Sequence, residues 1–375
     1  MLIPRWLPLL SASLQIAVGG LRFSDGRILM AIVEGHGIED PVFQNPLTHY
    51  IWESPLKVWL LRLVPFDSYW ALAALFLLLG VLPLIGLAWP TTSRFYVLTT
   101  GLIVLTPCLK ISMENLGVGD GFISFLTLML ALCLRAPIRF AACLLLLGLW
   151  HPGQVLFIAV SFWLGAWSSG LLSRHPVPRL DTGCLGSPSV ASLRVIAMLA
   201  CVGVVASRIV LVIYNRGLGF HYVDRFGYIK LKLAEMLPLN LQQAPISLAF
   251  PLAYGLGLIW LGRQRILASG KVAVLLGWVV GLSGIALATT DVTRVAILCL
   301  SPLVLLLFEA MMVQSPPWRS RLASPAGTRT GVPRPLVLMA VMAPLIPLCS
   351  WSGIDFSLWP DLVADLCNYG VACSV

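Results

Sequence analysis

Charge is scarce in this sequence. Only 11% of the 375 residues are charged, whereas 58% are hydrophobic, and the 16 acidic residues are outnumbered by 25 basic ones. A composition this apolar excludes an ordinary water-soluble domain and indicates an integral membrane protein. The nine cysteines lack the spacing of a metal site. The sequence also has no internal repeat and no low-complexity segment.

Apolar runs long enough, or nearly so, to cross a bilayer recur along the whole chain. We predict an all-α integral membrane protein with about eleven transmembrane helices, at residues 6–21, 68–89, 95–109, 122–134, 138–150, 155–172, 195–213, 244–261, 272–288, 295–313 and 336–351. The positive-inside rule places the N-terminus inside, because arginine-rich loops alternate with acidic ones. The net charge of +9 therefore reflects topology, and no nucleic-acid partner is expected.

Most of the chain outside the predicted spans lies in two outer loops, residues 22–67 and 214–243. We divide the chain into an N-terminal module, residues 1–172, which contains the first loop, and a C-terminal module, residues 173–375, which contains the second. The segment 110–121 is predicted to be a shorter outer loop. With this topology, 14 of the 16 acidic residues fall in outer segments of the chain, so we expect the functional site on the outer face.

The first outer loop is predicted to contain two amphipathic helices that lie in the membrane interface. One begins at Asp25 and is capped by Ser24, and the other follows Pro55. In the second helix, Lys57 and Arg62 are expected to reach the lipid headgroups. Interfacial positions are also expected for several tryptophans, namely Trp52, Trp59, Trp70, Trp89 and Trp150.

Asp25 is the leading candidate for a catalytic residue. It lies a few residues beyond the first apolar segment, where a carboxylate is costly unless it has a function. The alternative is that Asp25 is only a favourable negative charge at the start of a helix.

The order of several motifs resembles the GT-C superfamily of polytopic glycosyltransferases. The resemblance rests on Asp25 after the first span, on a second acidic loop, and on a polar break between middle helices; the residues are Glu34-Gly35-His36-Gly37, Asp40-Pro41, Asn45-Pro46-Leu47, Met113 to Phe122, and Trp150-His151-Pro152-Gly153-Gln154. The sequence departs from the family's usual Asp-Glu pair, because Gly26 follows Asp25. Any role of the second acid would pass to Glu39 or Asp40.

The resemblance implies transfer of a sugar from a polyprenyl-phosphate donor to a lipid- or polymer-linked glycan, with inversion, at the outer face of a bacterial inner membrane. Such a reaction needs a carboxylate to take the acceptor proton, the role expected of Asp25. It also needs cations around the departing phosphate. The candidates for that role are Arg294, Arg216, Arg225, Lys230 and His151. Glu114 and Asp120 are expected to bind sugar hydroxyls or a divalent cation.

Each of these residues also has a structural interpretation. Arg294 is able to pair with Asp291 alone, His151 to cap a helix, and Arg225 and Lys230 to contact lipid headgroups. Glu39 and Asp40 lie in a typical turn, and Glu114 and Asp120 could be hydrated loop acids.

Two other functions remain open at this point. One is a surface-polysaccharide polymerase or ligase, and the other is a transporter or flippase for lipid-linked sugars.

Overall fold

The computed structural model of the protein describes residues 3–21, 26–43, 49, 51–63, 69–114, 116–169, 193–218, 225–249, 252–253, 256–257, 259, 271–289, 291–314, 334–350 and 353–355. Asp25, the Asn45-Pro46-Leu47 motif and the side chain of Arg225 lie outside the described residues.

Helices dominate the described part of the chain. The α-helices, numbered in chain order, are α1 Trp6–Gly19, α2 Gly26–Val33, α3 Pro55–Leu63, α4 Tyr69–Val81, α5 Arg94–Leu105, α6 Cys108–Glu114, α7 Asp120–Leu132, α8 Pro137–Trp150, α9 Pro152–Ser169, α10 Leu193–Leu218, α11 Arg225–Ser247, α12 Lys271–Ala286, α13 Val292–Gln314 and α14 Arg334–Met342. Short 3-10 helices occur at Pro41–Phe43, Leu82–Ala88, Leu116–Val118, Cys133–Arg135 and Ala343–Leu345. Strands β1 Leu348–Ser350 and β2 Gly353–Asp355 form an antiparallel pair in which Leu348 lies opposite Asp355.

Most of the predicted apolar segments coincide with helices where the structure describes them. The span predicted at 336–351 is wrong at its end, because the helical part stops at Leu345 and Leu348–Ser350 forms strand β1. Among the described residues, three helical stretches are long and apolar enough to cross a membrane, Tyr69–Ala88, Met198–Gly217 and Val292–Met312. A fourth crossing results if α5 and α6, which are bent by 67° at their junction, form one broken span. The other apolar helices are shorter, so the helical membrane class is supported, whereas the number of spans stays a prediction.

Helix α13 lies at the centre of the fold. In the Val292–Met312 stretch 89% of the residues are buried, compared with 28% in Tyr69–Ala88 and 22% in Met198–Gly217. Helix α13 packs along α9 and also contacts α5, α7 and α12, while α10 packs outside α8 and α9. Because α4 and α10 expose mostly apolar side chains, we expect them to face lipid.

Gln15 of α1 supports the break between α5 and α6. Its Nε2 donates to the carbonyl oxygens of Ile103, at 2.6 Å, and Thr106, at 3.1 Å. Its Oε1 accepts from the backbone nitrogens of Leu109, at 2.9 Å, and Lys110, at 3.3 Å. Pro107 ends the α5 hydrogen-bond pattern, and this one buried amide satisfies the backbone groups that the break leaves open.

The predictions for residues 95–121 are wrong in two respects. The single helix expected over 95–109 is broken into two helices, and the loop expected at 110–121 is largely helix α6 and a 3-10 turn. Every residue of Cys108–Glu114 is buried. The segment therefore lies among other helices, where protein contacts can satisfy its irregular backbone.

The first outer loop contains both predicted helices, α2 and α3, but the orientation of α3 differs from the prediction. Lys57 is 2% exposed and points into the protein, so it does not reach the headgroups. The opposite face presents Trp59, 40% exposed, and Leu63, 80% exposed. Trp70 and Trp89 are exposed as expected, whereas Trp52 and Trp150 are buried and are not interfacial.

Removing the Gln15 amide should destabilise the protein. In Gln15→Leu, buried carbonyl and amide groups at the α5–α6 break lose their partner, at a cost of about 1–3 kcal/mol for each group left unsatisfied. The free energy of unfolding in detergent, measured by denaturant titration, should fall accordingly. Ser13→Leu, on the exposed side of the same helix, is the control. Equal losses in the two variants would contradict the role assigned to Gln15.

Candidate functional site

A buried ion pair joins the starts of α7 and α13. Arg294 Nη1 lies 3.2 Å from Asp120 Oδ2, and Arg294 Nη2 lies 2.7 Å from Asp291 Oδ2. The Asp120 side chain is fully buried, the Arg294 side chain is 9% exposed and that of Asp291 is 34% exposed. Two predicted site residues, Asp120 and Arg294, are therefore in contact. Arg294 also pairs with Asp291, so the interpretation in which it pairs with Asp291 alone is incomplete.

Asp120 is positioned by the turn that precedes it. Gly119 has a φ of 78°, in the left-handed region that favours glycine. A Cβ atom at Gly119 would come within 2.5 Å of the Trp150 ring, and the Trp150 indole nitrogen donates to the Gly119 carbonyl oxygen at 3.1 Å. Asp120 thus begins α7, where the positive end of the helix favours a carboxylate.

Two further lysines are buried, Lys57 of α3 and Lys110 of α6. Lys57 Nζ donates to the Val118 carbonyl oxygen at 2.7 Å and lies 5.4 Å from the centre of a Trp150 ring. Lys110 Nζ donates to the Ile346 carbonyl oxygen at 2.8 Å and lies 3.7 Å from Glu114 Oε1. Neither lysine was predicted as a site residue, although any lysine in so apolar a chain is a functional signal. Lys57, the Lys110–Glu114 pair and the Asp120–Arg294 pair are separate buried groups, which we together call the buried ionic cluster.

His151 and the remaining candidates occupy different positions. His151 is 5% exposed, and its backbone nitrogen closes the last turn of α8 by donating to the Leu147 carbonyl oxygen at 2.8 Å. His151 is therefore the residue that ends α8, and Arg216 is exposed in the last turn of α10. Lys230 is exposed on α11, as the lipid-headgroup interpretation expects, and Arg225 begins that helix.

The acidic turn of the first outer loop forms its own polar group. His36 Nδ1 lies 2.7 Å from Asp40 Oδ2, and His36 Nε2 lies 3.6 Å from Glu34 Oε2. The hydrogen bond to the Asp40 carboxylate is the main reason that the pKa of His36 is raised above 6.5, and the charges of Asp40 and Glu34 add to it. Glu39 is exposed, and its carboxylate lies against Gly37.

A second ion pair, between Arg94 of α5 and Glu309 of α13, lies at the C-terminal end of α7. The Arg94 guanidinium contacts both carboxylate oxygens of Glu309 and donates to the carbonyl oxygens of Ala131, at 2.7 Å, and Leu132, at 3.1 Å. Arg94 therefore caps the C-terminal end of α7 and neutralises a buried acid of α13. Sequence alone assigned no partner to Glu309, because Arg94 is 215 residues away.

Arg208, the other ion within a predicted span, also has a backbone partner. Its Nη2 donates to the Pro152 carbonyl oxygen at 3.0 Å. The contact ties α10 to the start of α9, so Arg208 has a structural role at the same end of the fold as Asp120.

Within the described ranges, no three or more His, Cys, Asp and Glu side chains form a group able to hold a metal ion. In this part of the chain, no third His, Cys, Asp or Glu side chain therefore joins Glu114 and Asp120 as a ligand for the divalent cation considered above. The chain matches no protein-family model, no curated protein and no solved structure.

Breaking the Asp120–Arg294 pair should cost far more than removing the outer partner of Arg294. Arg294→Gln leaves a buried carboxylate without its cation and should lower the free energy of unfolding by about 3–5 kcal/mol. Asp291→Asn should cost under about 1 kcal/mol, because Asp291 is partly exposed. The measurement is denaturant unfolding in detergent. Combining Asp120→Asn with Arg294→Gln should recover part of the loss, and strictly additive losses would argue against a coupled pair.

The turn around His36 should lose stability as pH rises. A histidine whose pKa is higher in the folded protein contributes stability below its unfolded pKa, near 6.5, and loses it as pH passes the folded pKa. Hydrogen exchange of residues 34–40, corrected for the intrinsic pH effect, should therefore accelerate above that pH. Asp40→Asn should remove most of this pH dependence, and Glu39→Gln should keep it. The same pH dependence in all three proteins would rule out the His36–Asp40 bond as its cause.

Proposed function

We propose that this protein is a membrane glycosyltransferase of the GT-C type that uses a polyprenyl-phosphate sugar as its donor. The acceptor is a lipid- or polymer-linked glycan at the outer face of a bacterial inner membrane. In this proposal the chain crosses the membrane about eleven times, with the N-terminus inside. The Asp120 end of α7 and α13 then faces outside and the Arg94 end faces inside.

The observation that carries the proposal is the buried ionic cluster at one end of a predominantly apolar helix bundle. Arg294, Lys57 and Lys110 bring three cations to helix ends that the proposed topology puts at the outer surface, where a lipid carrier presents its phosphate. Buried ions inside a membrane protein are costly and commonly mark a substrate site. Arg294 suits a phosphate best, because a guanidinium binds two phosphate oxygens at once.

The chemistry is a single displacement at the sugar C1 atom. The acceptor hydroxyl oxygen attacks C1, its proton passes to the Asp25 carboxylate, and the bond from C1 to the phosphate oxygen breaks. Polyprenyl phosphate leaves with the electron pair, and the configuration at C1 inverts. Arg294 stabilises the negative charge that develops on the departing phosphate.

The decisive experiment measures free polyprenyl phosphate released by membranes that contain the protein, a panel of polyprenyl-phosphate sugars and a native glycan extract. Wild type should release it with one donor, and Asp25→Asn should be slower by about 10²–10⁴-fold, because the base is lost. Glu235→Gln, an exposed acid paired with Lys232, is the control and should match wild type at equal protein level.

The other outcomes separate the alternatives. Equal release by Asp25→Asn and wild type would keep the reaction but remove Asp25 as the base, leaving Glu39, Asp40 or Glu114. An absence of release with every donor, from folded protein, would overturn the proposal in favour of a polymerase or ligase, or of a transporter.

One observation favours the transporter. Ser124 and Thr127 follow Asp120 at spacings of four and seven residues, so the three share one face of α7. Both hydroxyls are buried, and neither has a hydrogen-bond partner within the described ranges. A polar line of this kind is typical of a path through a helix bundle. Movement of intact lipid-linked sugar across proteoliposomes, without phosphate release, would support that function.

A further inference from the structure

Gln154 is a buried amide that makes no side-chain hydrogen bond to any residue that the structure describes. It lies in the first turn of α9 and is 3% exposed. Neither Nε2 nor Oε1 has a hydrogen-bond partner within the described parts of the chain. Gln15, by contrast, uses both atoms in four contacts at the α5–α6 break. An unsatisfied buried amide is costly, so a water molecule or a ligand is expected beside Gln154.

The packing of α9 against α13 places Gln154 level with Arg294. Trp150 binds the Gly119 carbonyl oxygen immediately before α9 begins, so α9 starts at the Asp120 end and runs parallel to α13. Further along, a Cβ atom at Gly165 would lie 3.0 Å from Leu306 Cδ1 and 3.4 Å from Leu303 Cα. Gly165 is eleven residues beyond Gln154 (165 − 154). On α13, the positions eleven residues before Leu303 and Leu306 are 292 and 295. Arg294 lies between them, so it is at the same level along the bundle as Gln154.

The chemistry of an amide identifies the group that Gln154 is suited to bind. The side chain offers two N–H donors and one carbonyl acceptor. A phosphate would accept hydrogen bonds from the N–H donors but would bring negative charge against the carbonyl oxygen. A cation would bind the carbonyl oxygen but would bring positive charge against the N–H donors. A pair of hydroxyl groups uses both atoms, because each hydroxyl donates and accepts.

We propose that Gln154 binds hydroxyl groups of the sugar while Arg294, at the same level of the bundle, holds the phosphate. This assignment rests on the proposed function and deepens it. It divides the donor between two side chains at the same level of the bundle, a neutral one for the sugar and a cationic one for the carrier. Gln154 is then a residue that determines which sugar is accepted, since a site built to bind a hydroxyl rejects donors that lack it.

The test compares thermal unfolding of purified protein alone, with polyprenyl phosphate, and with polyprenyl-phosphate sugars. Wild type should be stabilised by the bare carrier and further by one sugar-bearing carrier. Gln154→Met keeps the side-chain length without the amide. It should keep the shift from the bare carrier, lose the additional shift, and bind the sugar-bearing carrier about tenfold more weakly. Gln242→Met, the same change at an exposed position of α11, should behave as wild type.

A structural role or an ordered water predicts other results. If Gln154 only packs the fold, Gln154→Met should unfold at a clearly lower temperature without any ligand, which would overturn the assignment. If only a water binds there, wild type and Gln154→Met should gain the same additional shift from the sugar, which would also overturn it. A shift from the bare carrier with none from any sugar would refute the role of Gln154 alone. No shift from either carrier would count against the proposed function itself.

Discussion

The arrangement of the buried ionic cluster depends on how one interrupted backbone is satisfied. Where α5 stops before Pro107, carbonyl and amide groups are left open inside the protein, and Gln15 of α1 bonds to both sides of the break. With the break held, α6 turns by 67° and carries Lys110 and Glu114 into the interior. The following 3-10 turn and Gly119 then start α7 at Asp120. A polar residue in the first helix thus stabilises the backbone segment between α5 and the candidate site at Asp120.

Two ion pairs stabilise the buried charges of the interior. Helices α7 and α13 run side by side. Asp120 and Arg294 join them directly at one end, and at the other Arg94 of α5 links them by binding Glu309 of α13 and the last carbonyl oxygens of α7. In each pair one partner is nearly inaccessible, so neither ion is tolerable without the other. Pairing at both ends also fixes the register of the two helices along each other, which apolar side chains between them specify less strictly.

The sequence predicted the positions of the helices better than the directions of their side chains. Apolar runs and turn residues are local signals, so α8 was expected at 138–150 and is found at Pro137–Trp150. Lys57 was expected to reach the lipid headgroups. Its contacts with Val118 and Trp150 are made with residues distant in the sequence, which its sequence neighbours do not reveal. Glu309 had no assignable partner for the same reason. Asp120 and Arg294 were both selected as polar residues near helix ends, but their contact arises from tertiary packing across 174 positions (294 − 120).

The cluster constrains how a phosphate would reach Arg294. The guanidinium already binds two carboxylates, and a third anion must replace one of them or add uncompensated negative charge. Asp120 is fully buried, so separating it from Arg294 would leave an ion stranded in the interior. Asp291 is partly exposed and is able to turn toward water at little cost. The proposed phosphate would therefore take the place of Asp291, while Asp120 would keep Arg294 in position throughout the reaction.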